Sequence, residues 1–180
     1  MALSDVYYVF YDTETTGLDI NFSQIIQIGC VLTDNNFNIL EEINLNSKVL
    51  PWIVPSPDAF LVHGQTECLK SGFSHFEMMK SLRDKWLSWG KEKNLIFVSY
   101  NGHRFDEELV RRQFYWNLFD PYITNTNGNR RLDLMSLFQI IGNFYDSKIK
   151  IPQDEDENIS LKLTDLAKEN NISVENAHDA

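Results

Sequence analysis

The stretch Val6–Gly17, VYYVFYDTETTG, decides the architecture predicted for this protein. Its first half is a run of β-branched and aromatic residues, which predicts a strand over Val6–Tyr11. Two similar runs follow at Ile25–Leu32 and Ile39–Leu45, with an Asn-Asn pair between them that is typical of a hairpin turn. Three consecutive strands joined in this way predict an antiparallel meander at the start of the chain.

Helical patterns dominate the rest of the chain. Ser74 with Glu77 three residues later forms a capping box, which predicts a helix that ends near Gly90. The short apolar run Leu95–Tyr100 predicts a buried strand. Strands followed by alternating helices and strands indicate an α/β domain with a mixed sheet. Further helices are predicted over Asp106–Leu118, Leu134–Asn143 and Ser160–Asn170, and irregular or loop structure over Lys48–Pro57, Thr124–Arg130 and Pro152–Asn158.

Composition limits the class of protein. The 180 residues suit one domain, and 43% hydrophobic residues indicate a globular chain. The net charge of −10 argues against a protein that coats nucleic acid non-specifically, but acidic residues that bind cations can still present a positive site to phosphate. Cys30 and Cys68 are far apart, which argues against a structural zinc site. No secretion signal or membrane span is recognisable, so an intracellular location is predicted.

Asp12 and Glu14 stand directly after the first predicted strand. Residues two apart in a strand point to the same face, so both carboxylates project together. Their mutual repulsion would be relieved by a divalent cation, because hard cations prefer carboxylate oxygens. Two ordinary solvated acids at a strand end remain an alternative, although the longer string DTETTGL is far more specific than the acid pair alone.

Two further elements carry candidate chemistry. Asp106 follows a tight Asn101-Gly102 turn and begins a predicted helix, where an acid could also serve only the helix dipole. His178 lies in the string NAHDA, and a histidine can accept a proton near neutral pH. A frayed tail is the alternative for that segment.

Together these strings resemble the DEDD superfamily of 3′→5′ exonucleases, in its histidine branch, and above all the exonuclease domain of bacterial exonuclease I. The resemblance rests on DTETTG, YNxxxFD and NAHDA in this order, and it extends from about Val9 to Ala180. Three more strings support it, namely NGHRFDE, FYWNLFDPY and RLDL. The resemblance implies a ribonuclease H-like fold, with a mixed five-stranded sheet flanked by helices, over a single domain of residues 1–180.

The resemblance also implies an activity and the residues that perform it. The chain would hydrolyse terminal phosphodiesters of single-stranded DNA and release nucleoside 5′-monophosphates. In this scheme His178 takes a proton from the attacking water. The implied ligands of two Mg²⁺ or Mn²⁺ ions are Asp12, Glu14 and Asp106, and the implied contacts to the 3′-terminal nucleotide are Thr15, Leu18, Asn101 and Phe105.

One departure from the family pattern keeps other interpretations open. The family places a further Asp five residues beyond His178, whereas this sequence ends two residues after it. The sequence therefore predicts a fragment truncated just after the histidine motif. An RNA exonuclease is an alternative, as is a catalytically silent domain that binds nucleic acid.

Overall fold

The computed structural model describes residues 6–91, 93–144, 149–153 and 159–173. Ten elements of regular structure carry the fold. The strands are β1 Val6–Thr15, β2 Ile25–Thr33, β3 Ile39–Asn46, β4 Asn94–Ser99 and β5 Arg130–Asp133. The helices are α1 Pro57–His63, α2 His75–Trp89, α3 Asp106–Trp116, α4 Leu134–Phe144 and α5 Leu163–Glu169, with short 3₁₀ turns at Thr66–Leu69 and Ile123–Asn125.

The strands form one five-stranded sheet in the order β3-β2-β1-β4-β5. β1 pairs antiparallel with β2, and β2 pairs antiparallel with β3, so the predicted meander is confirmed. β4 runs parallel to both β1 and β5. The sheet is therefore mixed, as the resemblance implied, and the strand that carries Asp12 lies at its centre.

The core lies on the face of the sheet that α2 and α3 cover. The indole ring of Trp86 from α2 meets Phe97 of β4 at 4.7 Å and Phe114 of α3 at 5.8 Å between ring centroids, both edge to face. Such geometry adds to the free energy gained by burying the rings. The helical stripe predicted for α2 is confirmed in Met79, Leu82, Trp86 and Trp89, which are buried, but Phe76 is half exposed.

Helix ends follow local sequence where a cap exists. The Ser74 hydroxyl accepts a hydrogen bond from the Glu77 amide, and the Glu77 carboxylate accepts from the Ser74 amide, so the predicted capping box is confirmed. α5 begins at Leu163, three residues later than the predicted start at Ser160. In the part of the chain that the structure describes, no helix is long and apolar enough to cross a membrane.

Three predictions about the elements were wrong. β1 extends four residues beyond the predicted end at Tyr11, because pairing with β2 continues through the acidic motif. The four residues of β5 were assigned partly to a loop, and α1 was missed. β5 is too short and too charged to show an alternating pattern, and its pairing with β4 alone makes it a strand.

Candidate active site

Strand β1 places Asp12 and Glu14 on one face of the sheet. Asp12 stands opposite Gly29 of β2 and Glu14 opposite Gln27, so antiparallel pairing includes both acids, and its register shifts only after Glu14. Asp12 lines a cleft of about 760 Å³ on that face. Helices α4 and α5 contribute Leu134 and Leu163 to the cleft wall. The observed strand therefore places both carboxylates on one face, as predicted from the sequence.

Asp106 is the first residue of α3 and is almost fully buried. The hydroxyl of Thr13, between the two acids of β1, donates a hydrogen bond to Asp106 Oδ1. Because side chains alternate along a strand, Thr13 points to the opposite face from Asp12 and Glu14. Asp106 is thus anchored to β1 at the motif itself, through the residue between the two acids.

Hydrogen bonds to Asp133 hold the loop that leads to Asp106. Asp133, at the end of β5, accepts hydrogen bonds from the amides of Asn101 at 2.9 Å and His103 at 3.3 Å. It also accepts from the amide of Met135 at 3.0 Å, so its predicted role as a cap of α4 is confirmed. Asp133 therefore joins the loop before Asp106 to the neighbouring strand.

Gly102 allows the close approach that this loop requires. A Cβ atom at this position would stand 2.5 Å from the Ser99 side chain and 3.1 Å from Asp106 Oδ2. Both the Cβ and the Oγ of Ser99 would be 2.5 Å from the added Cβ, which is shorter than van der Waals radii allow. Asn101, one residue earlier, has a φ of 57°, which an asparagine tolerates better than most residues. The Asn-Gly pair thus supplies both the turn and the space beside the carboxylate.

The charge of Asp12 acts on the buried carboxyl group of Asp106. The pKa of Asp106 is raised to about 6, mainly by burial and also by the nearby charge of Asp12, against the opposing hydrogen bond from Thr13. Desolvation also raises the pKa of Asp12 above its ordinary value. Asp106 is almost fully buried whereas Asp12 is exposed, and a buried carboxylate beside a second carboxylate is costly when both are ionised. A divalent cation would offset this cost, so the donor chemistry of Asp12 and Asp106 fits a metal ion.

The structure brings the predicted ligands together only in part. Asp12 and Asp106 interact electrostatically, and Glu14 shares the face of Asp12. Across residues 6–173 and excluding the gaps given above, no group of three or more His, Cys, Asp or Glu side chains is arranged to hold a metal ion. The predicted base His178 lies outside the described residues, as does most of the acidic loop predicted at 152–158.

The four residues predicted to hold the terminal nucleotide lie near these acids in sequence and differ in exposure. The Thr15 hydroxyl is buried and donates to the Gly17 carbonyl at 2.8 Å, which fixes the turn after β1. Leu18 is 86% exposed at the tip of that turn. Asn101 is exposed, whereas Phe105 is partly buried against the core. Leu18 and Asn101 are thus accessible to a ligand, and Thr15 shapes the turn.

Glu107 is a site neighbour that sequence reasoning missed. Its carboxylate is fully buried, directly after Asp106. It accepts hydrogen bonds from Tyr11 Oη at 2.9 Å, Thr124 Oγ1 at 2.6 Å and Arg131 Nη1 at 3.0 Å. An acid in the first turn of a helix gives no signal of such partners, because the donors come from distant parts of the chain.

His63 is a second residue without a sequence signal. Its Nδ1 accepts from the Gln65 amide at 2.9 Å, so its Nε2 carries the proton and donates to the Thr15 carbonyl at 3.2 Å. Burial lowers the pKa of His63, which favours this neutral form. The residue joins α1 to the end of β1, beside the acidic motif.

Comparison with known proteins extends these observations. A family model described as exonuclease, RNase T, matches residues 9–180. The exodeoxyribonuclease I of Buchnera aphidicola subsp. Schizaphis graminum is 35% identical over 98% of this chain and 37% of its own length. That of Haemophilus influenzae is 33% identical over 99% of this chain and 38% of its own length. The chain spans about two fifths of the length of these relatives.

Solved structures show the same fold. Escherichia coli exonuclease I in complex with a dT13 oligonucleotide superposes with a TM-score of 0.88 at 28% identity, over 97% of this chain and 38% of that one. The complex named ExoI/SSB-Ct superposes with a TM-score of 0.87 at 26% identity, over 97% of this chain and 38% of that one. The ribonuclease H-like fold is therefore confirmed. With a family model that matches nearly the whole chain and an acidic motif on the central strand, this protein belongs to the RNase T family of exonucleases.

Proposed function

We propose that this chain acts as a 3′→5′ exodeoxyribonuclease on single-stranded DNA. It would hydrolyse the terminal phosphodiester and release nucleoside 5′-monophosphates, with residues 1–180 acting as one exonuclease domain. The observation that carries the proposal is the coupled pair of Asp12 and Asp106 at the centre of an exonuclease-family fold. Structural carboxylates are rarely held together with raised pKa values, because each makes the other harder to ionise.

Divalent metal ions complete the proposed site. Exonucleases of this family generally depend on them. Asp12, Glu14 and Asp106 would hold two Mg²⁺ or Mn²⁺ ions, which supply charge stabilisation for the attacking and leaving oxygens of an in-line displacement. Thr13 holds Asp106 in place by its hydrogen bond, and Asp133 holds the loop from which Asp106 projects.

The remaining proposed roles concern the proton and the nucleotide. His178 would accept a proton from the attacking water, which requires a neutral imidazole. Exposed Leu18 would wedge against the terminal base, and Phe105 and Asn101 would contact the terminal nucleotide from the facing loop. Thr15 would set the shape of the turn that carries Leu18.

DNA is the proposed substrate class. The similar curated proteins are named exodeoxyribonucleases, and the E. coli structure was solved with a thymidine oligonucleotide. These names describe those proteins, and the resemblance of the domain supports extending the substrate to this chain. A catalytically silent domain would have no reason to keep Asp12 and Asp106 in a costly coupled arrangement.

A nuclease assay tests the proposal directly. Single-stranded DNA and RNA of the same sequence, labelled at the 5′ end, are incubated with the protein and Mg²⁺ or Mn²⁺. We expect stepwise shortening of DNA from its 3′ end, release of 5′-mononucleotides, and little shortening of RNA. A DNA substrate that stays intact with both metals would refute the proposal.

Variants of matched charge separate the proposed roles. Asp12→Asn should abolish hydrolysis, whereas Asp19→Asn, an exposed acid in the loop after β1, should leave it unchanged. His178→Ala should slow hydrolysis while sparing DNA binding, and the wild-type rate should rise with pH until the imidazole is neutral. Equal losses of binding and turnover in His178→Ala would instead indicate a structural histidine.

A further inference from the structure

We propose that a cationic cleft binds internal phosphates of the substrate strand, upstream of its 3′ end. The cleft lies beside the loop of residues 100–105, between β4 and Asp106, here called the active-site loop. The cleft, here called the arginine cleft, has a volume of about 590 Å³. It lies between the loop after β4 and the start of β5. This proposal rests on the proposed nuclease function for its substrate and adds a second contact region to it. Its lining residues are His103, the turn residues 125–129, Arg130 and Arg131.

The charge of the arginine cleft differs from that of the chain. The protein carries a net charge of −10, with 26 acidic and 16 basic side chains. Among the described residues, the lining of this cleft includes two arginines and a histidine and no carboxylate. Arg104, exposed on the same loop, adds a further cation nearby. A concave surface of one charge sign focuses the field and attracts a polyanion.

The guanidinium of Arg131 is held in a fixed position. It donates to the buried Glu107 carboxylate at 3.0 Å, and its side chain stays 32% exposed. A guanidinium has five N–H donors in a planar fork, so this bond leaves donors for a second acceptor. Arg130, the preceding residue, is exposed. The cleft thus combines one anchored and one accessible guanidinium, which suits the binding of phosphate oxygens.

The turn that forms the other wall is rigidly packed. Asn129 donates to the Ile123 carbonyl at 2.7 Å and accepts from the Leu95 amide at 3.3 Å. Gly128 has a φ of 89°, and a Cβ there would meet the Asn94 side chain at 2.8 Å. The wall is therefore tied to β4 before any ligand arrives. Such preorganisation lowers the entropy cost of binding.

The arginine cleft is lined by His103, which lies three residues before Asp106. His103 lies in the loop that ends at Asp106, and its amide donates to Asp133. Arg131 and Asp106 are joined through adjacent residues, since Arg131 contacts Glu107. We infer that a strand whose last phosphodiester lies at Asp106 and Asp12 follows this loop towards the cleft. Repeated phosphates of a flexible strand fit this arrangement better than a single anion would.

Binding measurements in a chelator test this inference apart from catalysis. The probe is a fluorescent thymidine oligonucleotide of about 15 residues, a length in the range that single-strand sites cover. Dissociation constants are measured at about 50 and 200 mM salt. Each phosphate contact contributes a salt slope near 0.7 for single strands, which corresponds to about a 2.5-fold change over this range. We expect Arg130→Gln to reduce the ratio of the two constants by about 2.5-fold.

A charge-matched control makes the result specific. Lys48→Gln removes an exposed cation directly after β3, at the opposite edge of the sheet, and should leave the ratio unchanged. If Arg130→Gln melts at a lower temperature, Arg104→Gln, which removes the exposed cation on the same loop as His103, serves as a second test and should lower the ratio in the same direction. Equal effects of the Arg130 and Lys48 substitutions would overturn the inference, as would the absence of measurable DNA binding by the wild type.

Two further results have distinct meanings. In the first, Arg130→Gln binds the thymidine oligonucleotide normally but no longer binds a labelled Asp/Glu-rich peptide. This result would overturn the phosphate assignment in favour of an acidic protein segment. Failure of the wild type to release mononucleotides would refute the proposed nuclease function. It would leave this binding measurement valid, because the chelator prevents hydrolysis in every arm.

Discussion

Replacing Glu107 by alanine tests how the active-site loop is held to the core. Glu107 follows Asp106 directly and is fully buried. Its carboxylate accepts hydrogen bonds from three separate elements, namely from Tyr11 of β1, Thr124 of the 3₁₀ turn and Arg131 of β5. Truncation removes the acceptor for all three at once. The variant therefore measures the stability that long-range polar contacts give to this end of the sheet.

The expected loss follows from burial and partner number. Breaking a buried ion pair by removing one partner costs about 3–5 kcal/mol, since the other groups lose their acceptor away from water. Glu107→Gln keeps the shape and one of the two acceptor oxygens, so it should cost less, about 1–2 kcal/mol. For a domain of this size, 1 kcal/mol lowers the Tm by about 2–4 °C, so Glu107→Ala should melt about 6–20 °C below wild type.

Urea unfolding followed by circular dichroism, with metal chelated, gives the free energy of unfolding. The adjacent Glu108 is the matched control. It pairs with Arg111 at 2.7 Å on the helix surface, and its side chain is 36% exposed. Exposed pairs of this kind contribute below about 1 kcal/mol, so Glu108→Ala should be nearly neutral. Losses for Glu107→Ala and Glu108→Ala within about 0.5 kcal/mol of each other would refute the reasoning.

Three further predictions concern the acids and their loop. Gly102→Ala should destabilise the protein by about 1–3 kcal/mol through overlap with Ser99, and Ser99→Gly should restore part of that loss in the double variant, measured by urea unfolding. The folded-state pKa of Asp106, raised from 3.8 to about 6, means that the folded protein binds this proton more tightly than the unfolded chain does. Stability without metal should therefore fall by up to about 3 kcal/mol as the pH rises through this window. Asp106→Asn should remove that part of the pH dependence, and an unchanged slope would contradict the assignment. Mg²⁺ or Mn²⁺ should raise the Tm of wild type, whereas Asp12→Ala should raise the Tm without metal and abolish the metal effect; equal metal-dependent shifts in both proteins would contradict the proposed site.

Most of the framework could be predicted because its signals are local. The apolar runs of β1, β2 and β3 give the meander, and the capping box gives the start of α2. Strand alternation alone places Asp12 and Glu14 on one face, whatever the rest of the chain does. The DTETTG string combined with the later motifs also indicates the family.

Contacts between distant residues could not be predicted in this way. The hydroxyl of Thr13 meets Asp106 across 93 positions of sequence, and Tyr11 meets Glu107 across 96. Neither threonine nor tyrosine signals such a partner, because any donor within reach would satisfy the same carboxylate. β5 was missed for a related reason: its pairing with β4, and not its own composition, makes it a strand.

The sequence by itself determined the order of the strands along the chain, the shared face of the first two acids and the family. Only the tertiary structure decided that Asp106 is anchored through Thr13, that Glu107 is buried with Arg131, and that the arginine cleft lies beside the active-site loop. The physical reason is the separation along the chain over which each effect acts. Backbone periodicity and capping act within a few residues, whereas burial and charge coupling depend on which distant groups the sheet brings together.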